Sequence, residues 1–178
     1  EEEFYAYHKE VKDFLRQVIR VIDMIKVENA STASILKDSQ LDQHERVRDF
    51  YKLAVPIIDH YKKYCTDKSY LDFNDMITKT ISLFKNYPEI AQKFKTKYKY
   101  ILVDEFQDVN NLQVELIKLL LTDQNQLFCV GDDWQSIYGF RGSEIGYIVN
   151  FKKHFTDSEI LTLNLNYRST DSIVNAST

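Results

Sequence analysis

The sequence has few of the residues that interrupt regular secondary structure. It contains two prolines and four glycines among 178 residues. Because these residues dominate tight turns, their scarcity predicts long helices and few hairpins. The two cysteines, Cys65 and Cys129, lie far apart and lack metal-ligand spacing, so neither a disulfide framework nor a cysteine metal site is expected. Cys129 falls in an apolar run and is expected to be a small buried side chain, and a reducing cytoplasm is the expected compartment.

Two further absences restrict the class of protein. No apolar run approaches the ~20 residues that cross a bilayer, so no membrane partner is expected. The chain also has no basic excess, since its formal net charge is −4. Overall charge therefore does not indicate nucleic-acid binding, although an acidic protein can carry a local positive groove. The lysines that alternate between residues 93 and 99 are interpreted as a solvated face.

The composition is otherwise that of a globular domain. Hydrophobic residues make up 44% and charged residues 28%, which is typical of a globular, soluble chain rather than a disordered one. Aromatic residues are frequent at 13%, so some are available for stacking as well as for the core. Since the chain begins with Glu1 rather than Met, we expect it to be a segment of a longer protein.

The first half of the chain is predicted to be helical. Apolar residues recur at steps of three and four between residues 4 and 28, which is typical of an amphipathic helix. A polar stretch follows at residues 29–34. Further helices are predicted at residues 45–65, 73–85 and 88–94. Pro56 is expected to kink or divide the helix predicted at 45–65.

Strands and helices alternate after Tyr98. The apolar runs YKYILVDE (98–105), LFCV (127–130) and EILTLN (159–164) predict three strands. Helices are predicted between them at about 110–121 and 143–155. Asn110 and Gln113 form a capping-box pattern at the start of the first of these two helices. Such alternation implies an α/β fold with a parallel sheet and right-handed crossovers.

The first candidate site is ILVDEFQD, residues 101–108. An apolar strand delivers two adjacent acids to its carboxyl end, the edge at which open α/β sheets bind ligands. Asp104 is positioned to hold Mg²⁺, which uses oxygen ligands, and Glu105 to orient and deprotonate an attacking water. The alternative is a solvated strand end, because so short a match is common.

The second candidate site is VGDDWQSIYGFRGSE, residues 130–144. The amide of Gln135 is able to contact a terminal phosphate or the attacking water. Tyr138, Phe140 and Arg141 combine two aromatic faces and a guanidinium, which suits binding of a single nucleic-acid strand. The alternative is that the aromatic residues belong to the core and that Arg141 pairs with an acid. Trp134 is as suited to packing as to binding.

The third candidate site is LNLNYRST, residues 163–170. Arg168 follows the predicted third strand and could contact a γ-phosphate, and Tyr167 could stack on adenine. Alternatively, Ser169 caps a helix and Arg168 lies on the surface.

Together, the three sites resemble motifs II, III and IV of the UvrD/Rep-like superfamily 1 helicases, with features of the helicase IV branch. Their order, type and spacing carry the resemblance, and LDFND at residues 71–75 resembles a further family segment. The fold implied is part of a RecA-like P-loop NTPase sheet preceded by a helical region. The domains implied are a helical insertion at 1–70, part of the first motor domain at 71–165, and the start of a linker at 166–178.

The resemblance implies a role for each matching residue. Asp104 and Glu105 hold Mg²⁺ and activate water, and Gln135 senses the γ-phosphate. The implied contacts with ATP are made by Gln135, Tyr167 and Arg168, and those with DNA by Tyr138, Phe140 and Arg141. Gln107 and Asp108 lie in motif II without an assigned role.

Two departures from the family pattern bear on these roles. Many members have Trp where Phe140 stands and Asp where Trp134 stands, but Phe still stacks. The phosphate-binding sequence GxxxxGK[ST] is absent from these 178 residues, so this segment alone is expected to be inactive.

The function implied is that of an ATP-dependent motor, with ATP and Mg²⁺ as cofactors. It would move 3′ to 5′ on single-stranded DNA and unwind duplex DNA at junctions. One alternative is a nuclease–helicase that processes broken ends, and another is a scaffold without ATPase activity. Copies of the segment are expected to associate through exposed sheet edges.

Overall fold

The computed structural model describes residues 2–28, 30–137, 139 and 142–177. These residues are mostly helical and contain one small sheet. The helices are α1 (Glu2–Val27), α2 (Thr32–Gln40), α3 (Glu45–Lys68), α4 (Phe73–Asn86), α5 (Pro88–Lys97), α6 (Asn111–Leu120), α7 (Gly146–Val149), α8 (Phe151–His154) and α9 (Asp171–Ser177). The strands are β1 (Tyr100–Val103) and β2 (Gln126–Cys129). Two short 3-10 helices cover Phe106–Asp108 and Asp133–Gln135.

The helical first half is confirmed, with a core between α1 and α3. Val18, Ile22 and Ile25 of α1 are buried against Ala54 and Ile58 of α3. Each aliphatic side chain that is fully buried in this way stabilises the fold by about 1.5–3 kcal/mol. The apolar spacing in the sequence therefore identifies the buried face of α1 correctly.

Two details of this half differ from the sequence-based prediction. Helix α3 continues through Pro56, which does not divide it, and a kink at this residue stays a prediction. Both Pro56 and Lys52 are exposed, so the Lys52 carbonyl that loses its helical partner faces water. The polar stretch predicted at 29–34 contains the start of α2, because Ser31 accepts a hydrogen bond from the Ser34 N–H at 2.9 Å and caps that helix.

A charged cluster joins α1 and α3 to the start of α4. The Lys26 ammonium contacts both Asp72 and Asp75, and the Tyr61 hydroxyl donates to Asp72 Oδ2 at 3.0 Å. Asp72 and Asp75 also form the capping box of α4. The LDFND segment at 71–75 therefore lies where three helices meet.

The parallel sheet is confirmed for two strands. Leu102 of β1 lies opposite Phe128 of β2, and α6 forms the crossover between the strands. The predicted capping box of α6 is confirmed. The Asn110 side chain accepts from the Gln113 N–H at 3.0 Å, and the Gln113 side chain accepts from the Asn110 N–H at 2.9 Å. A RecA-like arrangement of the complete sheet stays a prediction, as do the three domain ranges.

The two faces of the sheet differ in burial. Val103, Leu127 and Cys129 pack against a buried cluster that includes Phe106. On the opposite face, Leu102 and Phe128 are 73% and 57% exposed. Parallel sheets are usually covered on both faces. The predicted association of copies through this region stays a prediction.

The predicted third strand at 159–164 is wrong. These residues form neither a helix nor a strand, and Leu161 and Leu163 are 75% and 90% exposed. The alternation of apolar and polar residues suits a strand, but a strand requires a hydrogen-bonded neighbour, and no described strand pairs with this segment.

The predicted helix at 143–155 is also not continuous. It is divided into α7 and α8 at Asn150, whose backbone is not helical (φ −108°, ψ 33°). Ser143 lies outside both helices and forms an isolated bridge with Asn110. Among the described residues, no helix combines the length and the apolar character of a membrane span.

Candidate functional site

The carboxyl ends of the two strands are held together beyond the sheet itself. The Val130 N–H donates to the Val103 carbonyl at 2.9 Å, and the Phe106 N–H donates to the Val130 carbonyl at 2.8 Å. The acids that follow β1 therefore lie beside the loop that follows β2. The first two candidate segments therefore meet at one edge of the sheet.

Asp104 and Glu105 are both exposed at this edge. The Glu105 backbone is left-handed (φ 51°, ψ 44°), and its N–H donates to Asp104 Oδ1 at 2.9 Å. For a residue with a Cβ this conformation costs about 1–2 kcal/mol. Strained backbone of this kind persists where the surroundings impose it, and it concentrates at functional sites.

Phe106 supplies that constraint. Its side chain is 1% exposed and meets the rings of Phe151 and Phe155 edge-on, at centroid distances of 5.3 and 6.2 Å. Burial of this ring fixes the 3-10 helix that starts immediately after Glu105. The glutamate is therefore held between the end of β1 and a buried aromatic anchor.

Gln107 connects the two strand ends. Its side chain is 1% exposed, and its Nε2 donates to Glu105 Oε2 at 2.6 Å. Its Oε1 accepts from the Asp132 backbone N–H at 3.0 Å. Sequence reasoning assigned Gln107 no role, because nothing in the local pattern shows that a glutamine between Phe106 and Asp108 is buried.

Gly131 makes room for the Gln107 amide. A Cβ at this position would lie 2.7 Å from Gln107 Oε1 and 2.8 Å from Ile148 Cδ1. Real Cβ atoms do not approach other atoms so closely. A side chain at position 131 would therefore displace the Gln107 amide and the Ile148 side chain from their present positions.

Asp132 organises the loop after β2. Its Oδ1 accepts from the Trp134 N–H at 3.0 Å, and its Oδ2 accepts from Gln135 Nε2 at 2.7 Å. The Gln135 amide is thus directed toward Asp132 in this structure. Trp134 is 92% exposed and does not belong to the core.

Tyr138, Phe140 and Arg141, which the sequence predicts to bind DNA, lie outside the described residues. Described residues before and after them are hydrogen-bonded to the segment that follows β1. Before it, Ser136 Oγ donates to the Gln107 carbonyl at 3.3 Å. After it, the Glu144 N–H donates to the Val109 carbonyl at 3.0 Å.

Tyr167 and Arg168 lie outside the hydrogen-bonded group formed by Glu105, Gln107 and Asp132. Tyr167 is 90% exposed, and Arg168 is also exposed. The Arg168 and Ser169 N–H groups both donate to Asn166 Oδ1 at 2.9 Å, which forms a tight turn. Among the described residues, no hydrogen bond or ion pair links either side chain to Glu105 or Gln135.

The acids at the edge suit a cation that takes few protein ligands. No group of three or more His, Cys, Asp or Glu side chains is arranged to hold a metal ion in the described part of the chain. Asp104 and Glu105 nevertheless offer exposed carboxylate oxygens, and Mg²⁺ commonly uses one or two carboxylates with waters and phosphate oxygens. The donor set therefore fits Mg²⁺ bound together with a phosphate ligand.

Asp108 and Ser143 each carry a polar atom that lacks a partner. Asp108 Oδ1 and Ser143 Oγ are buried without a hydrogen bond in the described structure. Buried polar atoms without partners are few in native proteins. Both atoms lie in segments that flank the site.

A parallel α/β sheet with acids and amides at its carboxyl edge is consistent with an α/β helicase domain. Comparison with known protein families places the chain more closely. The family described as the UvrD/REP helicase N-terminal domain matches residues 3–156, and the chain belongs to this family.

Individual relatives agree with this assignment. The chain is 37% identical to the ATP-dependent DNA helicase PcrA of Staphylococcus aureus over 161 residues, which are 90% of this chain and 21% of that protein. It is 38% identical to PcrA of Staphylococcus epidermidis over 136 residues, 76% of this chain and 19% of that protein. It is 37% identical to the protein YjcD of Bacillus subtilis over 128 residues, 72% of this chain and 17% of that protein. The chain thus spans about a fifth of the length of these relatives.

Proposed function

We propose that this chain forms part of the ATP site and DNA path of an ATP-dependent DNA helicase. The helicase moves along single-stranded DNA and unwinds duplex DNA at junctions. The observation that carries this proposal is the hydrogen-bonded edge, where Gln107 joins Glu105 to the loop that begins at Gly131. Family membership and the names of the relatives support the same function.

The acids and amides of the edge have separate roles in the proposed reaction. Asp104 would hold Mg²⁺. When bound, this ion would neutralise part of the negative charge on the phosphates. Glu105 orients the attacking water and accepts its proton. Gln135 contacts the γ-phosphate, and for this its amide leaves Asp132 Oδ2.

The remaining nucleotide contacts come from the third candidate site. Arg168 reaches the γ-phosphate and Tyr167 stacks on the adenine. The exposure of both side chains supports their availability to a ligand. Because neither side chain contacts Asp104 or Glu105 here, binding of ATP has to bring Arg168 and Glu105 to the same phosphate, with Tyr167 at the adenine.

The DNA contacts come from Tyr138, Phe140 and Arg141. Two rings and a guanidinium stack on bases and contact phosphates of a single strand without reading its sequence. The flanking residues support coupling to the nucleotide, because Ser136 is attached to the backbone of Gln107. A shift of the residues that contact DNA would therefore be transmitted through Ser136 to the backbone of Gln107.

The test is ATP hydrolysis by the full-length protein with and without single-stranded DNA. Glu105→Gln should lower the DNA-stimulated turnover by about 100-fold or more while leaving DNA binding intact. Glu89→Gln, which removes the same charge from the exposed first turn of α5, is the matched control. The proposal fails if the wild-type protein shows no turnover, or if Glu105→Gln turns over like the control.

Unwinding is measured separately, on duplexes with a single-stranded tail at either end. Displacement that requires ATP and a 3′ tail supports the proposed motor and its direction. The 178-residue chain alone lacks GxxxxGK[ST] and is expected to show neither hydrolysis nor unwinding.

A further inference from the structure

A continuous set of hydrogen bonds connects Glu105 with Gln135. The first link is Gln107 Nε2 to Glu105 Oε2 at 2.6 Å, and the second is the Asp132 N–H to Gln107 Oε1 at 3.0 Å. The third is Gln135 Nε2 to Asp132 Oδ2 at 2.7 Å. The two residues assigned to water activation and phosphate sensing are therefore linked through two residues without an assigned role.

The chemistry of its two partners sets the orientation of the Gln107 amide. A backbone N–H can only donate, so Asp132 must face the amide oxygen. An ionised carboxylate can only accept, so Glu105 must face the amide nitrogen. A rotation of the amide by half a turn would break both bonds, and the burial of Gln107 leaves little access for water to replace them.

The position of the amide also depends on the loop after β2. Gly131 leaves no free space beside Gln107 Oε1, since a single added carbon would lie 2.7 Å from it. A displacement of Asp132 must therefore either move the Gln107 amide or break its bond. A displacement that keeps the bond therefore moves the Gln107 amide and, with it, the Glu105 carboxylate.

We propose that Gln107 is a positioning residue that makes the orientation of Glu105 depend on the state of Gln135. This inference rests on the proposed function. When Gln135 leaves Asp132 for a phosphate, Asp132 is released from one partner, and Gln107 passes the change to Glu105. Hydrolysis is thereby favoured only after the γ-phosphate has been engaged.

The experiment measures kcat and KM for ATP in the full-length protein with saturating single-stranded DNA. Gln107→Met keeps the size of the side chain but removes both bonds, and it should lower kcat by about 10- to 100-fold with little change in KM. Gln107→Glu keeps an acceptor for the Asp132 N–H but places a like charge beside Glu105, so its loss should be at least as large. Gln92→Met makes the same change on the exposed side of α5 and serves as the control.

Two further measurements separate positioning from a merely structural role. Gln135→Met is combined with Gln107→Met. If both residues act through the same hydrogen-bonded relay from Gln135 to Glu105, the double variant should have a kcat no lower than that of the poorer single variant. Backbone hydrogen exchange at Asp132 should be faster in Gln107→Met than in the wild type and close to wild type in Gln107→Glu. If Gln107→Met does not fold, Gln107→Asn, which is too short to reach both partners, replaces it.

The outcomes distinguish this inference from the proposed function. A Gln107→Met protein with wild-type kcat, or losses that multiply in the double variant, overturns the relay and leaves the helicase proposal intact. A wild-type protein without ATP turnover overturns the proposed function instead. Unchanged exchange at Asp132 in Gln107→Met overturns the relay whatever the turnover.

Discussion

Lys26 Nζ lies 2.8 Å from Asp75 Oδ1, so the last turn of α1 is tied to the first turn of α4. The Lys26 side chain is only 10% exposed, and it also contacts Asp72. One ammonium group therefore pairs with both acids of the α4 capping box. This connection fixes the helical first half of the chain to the helices that pack beside the sheet.

Lys26→Met should destabilise the fold. The variant keeps most of the buried aliphatic length but leaves the carboxylates of Asp72 and Asp75 unpaired, 29% and 17% exposed. Removing one partner of a largely buried pair costs about 2–3 kcal/mol when the remaining charges keep some access to water. The free energy of unfolding from urea titration measures this loss. Lys52→Met is the control, because its pair with Asp49 is exposed and should contribute no more than about 0.5 kcal/mol.

The same cluster predicts how stability depends on pH. Burial raises the pKa of Asp72, but hydrogen bonds from Lys26 and the Asp75 N–H outweigh burial and bring the pKa below its ordinary value. Burial lowers the pKa of Lys26, but hydrogen bonds to the two acids outweigh it and raise the pKa above its ordinary value. Asp23 opposes the trend, because burial and the nearby Asp72 charge raise its pKa.

The sign of each contribution follows from these directions. The lowered pKa means that Asp72 stabilises the fold above its unfolded pKa, and this contribution is lost as pH falls through the folded pKa. The raised pKa means that Lys26 stabilises the fold fully below its unfolded pKa, and this contribution is lost as pH rises through the folded pKa. The difference in unfolding free energy between wild type and Lys26→Met should therefore be largest at intermediate pH and shrink at both extremes. A difference that stays constant from strongly acidic to strongly alkaline pH would contradict this assignment.

The elements that sequence reasoning located correctly have local signals. The capping box of Asn110 and Gln113 starts α6 within one turn, and the apolar spacing of α1 is complete within the helix itself. The parallel pairing of β1 and β2 follows from the intervening helix. The capping box and the apolar spacing are decided by residues that are close together in the chain, and the parallel pairing by the order of strand, helix and strand.

The errors occurred where distant contacts decide the outcome. Leu161 and Leu163 alternate with polar residues as in a strand, yet the segment pairs with no described strand. The helix break at Asn150 could not be predicted from the local sequence, because no proline or glycine lies beside this residue. Gln107 could not be recognised because its role depends on Gly131 and Asp132, which follow more than twenty residues later.

Cys129 should be unusually unreactive toward alkylating reagents. Burial raises the pKa of its thiol to about 12 from an ordinary value of 9.0. Because the thiolate is the reactive form, its population at pH 8 falls by about a thousandfold, and the alkylation rate should fall with it. The rate is measured in a Cys65→Ser background by mass spectrometry. The same background with Cys129→Ala and an exposed Ser82→Cys gives the reference, and equal rates in the two folded proteins would contradict the prediction.

Backbone strain at Glu105 predicts that replacing this residue by glycine stabilises the fold relative to alanine, although the carboxylate needed for activity is lost. Its left-handed backbone (φ 51°) is imposed by the buried Phe106 that follows it, and glycine adopts this conformation without the steric cost. Glu105→Gly should therefore be about 1 kcal/mol more stable than Glu105→Ala, although both lack the carboxylate and should be inactive. Ser69, the other described non-glycine residue with positive φ, should show the same order for its Gly and Ala variants without loss of ATP turnover. The contradicting result in urea titrations is a Glu105→Ala variant as stable as Glu105→Gly while the two Ser69 variants differ. The backbone at Glu105 would then be unstrained, and the glutamate would be held by its hydrogen bonds alone.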